Sequence, residues 1–220
     1  KGECSMRALE QYANFCVRRS AEGWQKARHL AKAKREEARN NAVASIEAAI
    51  LDLDTLCQRA PTVERLNLLG SAYKRLAQVE AEPRQLEALV NMAHHYRLSF
   101  DRQRDAYAFT NWAAASLLTG QRGATESSDQ LGGQLGDLAQ ELETLRREEA
   151  RSNAENPNFW DAASLADLEL TRLLAQGTGT PRQRAAVSPG EAAAPVLAAY
   201  RAAIGRAASP REISSLCENI

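Results

Sequence analysis

The side chains best equipped for chemistry lie between Leu66 and Arg75. Asn67, Ser71, Lys74 and Arg75 follow one another at steps of four, three and one, which places them on one face of a helix. An amide, a hydroxyl, an ammonium and a guanidinium together suit recognition rather than reaction. Lys74 and Arg75 can hold a carboxylate, and Asn67 can bond a peptide backbone. The same groups equally suit a solvated helix face. Trp112, further along, is open to two roles as well: an anchor for a partner, or an aromatic packed inside the chain.

Reaction chemistry finds little support. His94 and His95 are adjacent, so on a helix they diverge by about 100° and do not chelate one ion together. The chain has no G-x-S-x-G elbow, no H-E-x-x-H and no G-x-x-x-x-G-K-[ST]. Gly132-Gly133-Gln134-Leu135-Gly136 lacks the preceding strand that a phosphate-cradling loop needs, and reads as a helix irregularity. Glu36-Glu37 and Glu148-Glu149 sit among charged neighbours, where nothing desolvates a carboxylate toward acid-base work. No enzyme activity and no cofactor or metal are expected.

Helices must position the recognition face. Leu66, Leu69, Gly70 and Tyr73 fall at offsets 0, 3, 4 and 7, opposite Asn67, Ser71 and Lys74. They form a packing row in which the glycine admits a close neighbour. The periodicity predicts a helix from Thr62 to about Gln78 and, after Pro83, a partner carrying Leu86, Leu89, Met92, Ala93, Tyr96 and Phe100. Upstream, Ser5 can cap a first helix ending near Arg19, and the apolar spacing then runs from Trp24 to Pro61 with one skipped step at Arg35, as one long helix or as two stacked ones broken at Asn40-Asn41.

Downstream, a helix from Tyr107 is expected to stop at Gly120. Leu131, Leu135, Leu138, Leu142 and Leu145 form a coiled-coil-like seam. Asn156-Pro157 is read as N-cap and first residue of the next helix, which runs to Gly177. Residues 177–190 are read as a mobile loop, Val196 to Ile204 as a helix, and Ser209-Pro210-Arg211-Glu212 as a capping box opening a terminal one.

The Leu66, Leu69, Gly70, Tyr73 pattern resembles the first helix of a tetratricopeptide repeat. Three further stretches extend the likeness: Asp105-Ala106-Tyr107 with Asn111-Trp112-Ala113 and Leu117-Leu118-Thr119-Gly120; Phe159-Trp160 through Ala163 to Leu168; and Ala199 to Ala203 before Ser209-Pro210. In that order, over about residues 60–220, they resemble the family named after the TRAFs-binding region of the apoptosis signal-regulating kinases, which also resembles regions of modular bacterial proteins. The resemblance implies an all-α fold of tetratricopeptide-like hairpins stacked as a short right-handed solenoid. Residues 1–60 would be flanking helices and 61–220 three hairpins, with a long insertion at 121–156. It also implies a scaffold that binds a protein partner or controls a neighbouring effector domain, with Asn67, Ser71 and Lys74 lining the inner groove.

The totals agree with packed helices: 44% of the 220 residues are hydrophobic and only 5% aromatic. The 28 basic and 28 acidic residues are unevenly spread, residues 1–40 carrying a net charge of +5 and residues 123–169 a net −8. That asymmetry supports an alternative function, a structural element that self-associates in a salt-sensitive way. The basic run Lys32-Ala33-Lys34-Arg35 has no interleaved aromatics, so nucleic acid is disfavoured as a partner. Four scattered cysteines suggest neither a zinc site nor a disulfide framework and fit a reducing cytoplasm. No apolar run is long enough to span a bilayer, and a chain beginning at Lys1 reads as a piece of a longer protein.

Overall fold

The computed structural model describes residues 5–122, 128–177, 189–207, 209–210 and 212–213, with backbone alone at 121–122, 128–137, 176–177, 189 and 191–192. Every regular element among them is an α-helix. The chain divides into two compact units, Lys1–Arg104 and Asp105–Ile220. The boundary expected near residue 60 thus lies inside the first unit.

In the first unit, α1 (Met6–Ala27) starts where sequence places it: the Ser5 hydroxyl accepts the Ala8 N–H at 3.2 Å. Ala13, Val17 and Ala21 face inward. The helix does not stop near Arg19. It runs on to Ala27 and turns over Arg28–Ala31 into α2 (Lys32–Arg59). Asn40 and Asn41 lie inside α2, both exposed, so water satisfies their amides and the helix continues. From Ala42 onward α2 buries Val43, Ile46, Ala49, Ile50 and Leu53, forming a hairpin with α1 in which the Ser20 and Ser45 hydroxyls bond at 2.8 Å. The Lys32 to Arg35 run is fully exposed.

Next, α3 (Val63–Val79) is capped by Thr62, whose hydroxyl accepts the Arg65 N–H at 3.2 Å, and α4 (Arg84–Arg102) returns against it. Their contact turns on Gly70. A Cβ there would lie 2.7 Å from two ring carbons of Tyr96, which is fully buried. Glu80, at the end of α3, binds Arg39 of α2 at 2.6 Å and lies 2.8 Å from Arg84, outside hydrogen-bond alignment. Arg84 also meets Glu47 of α2.

The second unit opens with α5 (Ala106–Arg122), capped by Asp105, whose carboxylate accepts the Ala108 N–H at 2.8 Å. Gly120 is helical and does not end it. Then follow α6 (Ser128–Glu155), α7 (Phe159–Gly177) and α8 (Pro189–Ile204). The glycines at 132, 133 and 136 are absorbed within α6. Of the leucine seam, Leu138, Leu142 and Leu145 are buried; the side chains of Leu131 and Leu135 lie outside the described residues.

The cap of α7 is Asn158, whose Oδ1 accepts the Asp161 N–H at 2.9 Å, while Asn156 closes the last turn of α6. Phe159, Ala162, Ala163 and Ala166 of α7 pack with Val196, Tyr200 and Ala203 of α8, and the Tyr200 hydroxyl donates to Asp167 at 2.6 Å. Among the described residues the hairpin expected of α5 and α6 is not the main packing: α5 lies chiefly against α7, as does α6. Most of the 177–190 loop falls outside the described residues. The capping box is present: the Ser209 N–H donates to Glu212 at 2.9 Å and the Glu212 N–H to the Ser209 hydroxyl at 3.4 Å.

Candidate protein-interaction site

On α3, Leu66, Leu69 and Gly70 of the packing row are buried, with Ala72, Leu76 and Ala77 beside them, whereas Tyr73, its fourth member, is half-buried. Asn67, Ser71, Lys74 and Arg75 are all half-buried on the remaining face. Arg75 reaches back one turn to the Ser71 hydroxyl and carbonyl, so those two side chains form one intrahelical unit. Asn67 is different. Its Oδ1 is shielded from solvent and has no hydrogen-bond partner, a costly condition for an amide acceptor, of the order of 1–3 kcal/mol.

Beside this face, Tyr73 stacks on His95 of α4, the rings 5.4 Å apart and 9° from parallel. His94 meets the same imidazole edge-on at 5.2 Å. Burial, then the neighbouring His94, pushes the His95 pKa down to about 4, against an upward pull from Asp54. His95 is therefore neutral at pH 7, and its Nδ1 is another shielded atom with no partner. Burial also raises the Tyr73 phenol above its ordinary value. Among the described residues no group of three or more His, Cys, Asp or Glu is placed to hold a metal ion.

Trp112 belongs to the second unit. It is half-buried on α5, edge-on to Phe109 at 5.8 Å. Trp160 is the more exposed tryptophan of that unit, at 57%.

Sequence reasoning missed the buried pair that holds α3 in place. The Arg65 Nε donates to Glu10 of α1 at 2.6 Å, and Nη1 donates to the carbonyls of Ala60 at 2.6 Å and Leu56 at 3.2 Å. Both side chains are more than nine-tenths buried. Arg65 thereby joins α1 to α3 while satisfying carbonyls at the end of α2, where a cation also complements the helix dipole. A signal was readable: Glu10 stands in the row Ala13, Val17, Ala21, a carboxylate where every other member is apolar.

Helical hairpins packed in sequence order through the first unit, with a partly buried polar face and no assembled reactive group among the described residues, define a helical-repeat protein. The chain belongs to the Tetratricopeptide Repeats-Sensor family, whose match covers residues 3–118. Repeats of this type are generally protein-interaction modules. The match takes in α1 and α2, set apart as flanking helices on sequence grounds, whereas the motif resemblance was read over 60–220. No curated protein and no solved structure matches the chain. No helix among the described residues is long and apolar enough to cross a membrane.

Proposed function

We propose that this chain is a non-catalytic interaction and regulatory module of a larger modular bacterial protein, acting in the cytoplasm on a protein partner or an adjacent effector domain. In this reading the polar face of α3 makes the contact. The observation that carries it is the polar face itself: Asn67, Ser71, Lys74 and Arg75 are half-buried together on α3, across the helix from Leu66, Leu69 and Gly70. An extended peptide or a partner helix would bring the carboxylate that Lys74 and Arg75 can hold. The family's name, with its reference to a sensor, agrees with a regulatory role.

The test is charge reversal at Lys74 and Arg75 together with Asn67→Ala, read as partner affinity or effector output in the full-length protein. Loss with helical content and melting temperature preserved is the expected result. Unchanged capture and output in folded variants would remove the α3 face from consideration. Self-association through the acidic 123–169 segment has a narrower basis than its net charge suggests. Glu143 and Glu169 are bound by Arg146, Asp161 by Ser152, and Asp167 by Tyr200, all within the second unit.

A further inference from the structure

The outward face of α1 combines exposed aromatics with cations. Its N-terminal half exposes Tyr12 and Phe15, at 64% and 55%. Its C-terminal half carries Arg19 and Lys26, which have no acidic partner among the described residues; Arg19 lies over the Phe15 ring at 5.9 Å. This face is an open surface formed by α1 alone, with Phe15, Arg18, Arg19, Glu22, Gly23 and Lys26 along it. Three cations face one carboxylate there.

Gly23 is the informative residue. It sits inside α1, where a glycine costs about 1 kcal/mol relative to alanine. Nothing within the described chain requires it: no glycine among the described residues has positive φ, and a Cβ at 23 would meet nothing within 4 Å. Gly70, by contrast, is a helical glycine filled by the Tyr96 ring of the next helix. Gly23 instead leaves the backbone bare at an exposed position flanked by cations.

We infer that the outer face of α1 is a docking surface for an acidic amphipathic helix of a protein partner. The partner packs apolar side chains on Tyr12 and Phe15, seats a bulky one against Gly23, and sets carboxylates beside Arg19 and Lys26. Charge complementarity selects an acidic partner, and the bare backbone at Gly23 between exposed aromatics and cations admits a helix packed side by side. This surface is separate from the α3 face and does not depend on it.

The probe is a labelled helical peptide of about four turns, with Leu and Tyr along one face and Glu along its flanks, titrated into the full chain by fluorescence anisotropy. The same peptide with Lys replacing Glu is the control. Binding is expected for the acidic peptide alone, falling with salt. Gly23→Leu, and separately Arg19→Glu with Lys26→Glu, should each weaken it by about tenfold or more, while Lys74→Glu with Arg75→Glu leaves it unchanged. All these positions are exposed or half-buried, so circular dichroism should show the fold intact. Absence of acidic-peptide binding, equal affinity in the Gly23→Leu variant, or a dimer in sedimentation that Phe15→Ala dissolves would each overturn the proposal, the last by making a second copy the occupant.

Discussion

At Gly70 two opposing effects can be weighed. Alanine would gain about 1 kcal/mol of helix propensity, but its Cβ would stand 2.7 Å from the ring of Tyr96, which has no solvent side to move toward. Overpacking of this kind costs about 1–3 kcal/mol. Gly70→Ala is therefore expected to lower the urea midpoint, whereas Gly23→Ala should raise it. The His95 imidazole yields a pH prediction. Its folded pKa of about 4 lies below the ordinary 6.5, so the unfolded chain binds a proton that the folded chain refuses. Its contribution is constant above about pH 7, is lost as pH falls from 6.5 toward 4, and changes no further below that. Thermal melts of wild type and His95→Gln across this range should converge toward acid. A parallel pH dependence in the two would mean that another group carries the titration.

Among the elements, α3 and α4 were the most legible because local and tertiary signals coincide there. Thr62 caps, Leu66 to Tyr73 keep one packing row, and Pro83 separates the pair. The turn between α1 and α2 was not legible. Ala27 to Ala31 contains neither glycine nor proline, so nothing local announces the break, while the conspicuous Asn40-Asn41 is tolerated because it faces water. The start of α7 was misplaced by two residues because Asn156-Pro157-Asn158 offers two asparagine caps. Burial of Phe159 against α8 accompanies the choice of Asn158, and that is tertiary information. Asn158→Ala should cost about 1 kcal/mol, read in a denaturant titration, and Asn156→Ala much less. Equal costs would contradict the cap assignment. The candidate face on α3 was legible as a set of positions, but the burial of Asn67 Oδ1 is a property of the folded chain that spacing alone does not carry.

For the whole molecule, the division at Arg104 and Asp105 implies that each unit carries its own core. The first is built on Ile46, Leu53, Leu69 and Tyr96, and the second on Phe109, Ala166 and Leu168. A fragment of residues 1–104 should fold alone and melt cooperatively by circular dichroism. A non-cooperative loss of helix would show that the second unit is needed. The long-range tie within that fragment, Glu10 to Arg65, bears on how the sequence can diverge. Losing either partner strands a buried charge and costs about 3–5 kcal/mol, whereas exchanging both for apolar residues of matching volume is close to neutral. These two positions, 55 residues apart along the chain, are therefore bound to a common history. Homologues should carry the ion pair or an apolar pair, and the one-step intermediates between them should be scarce.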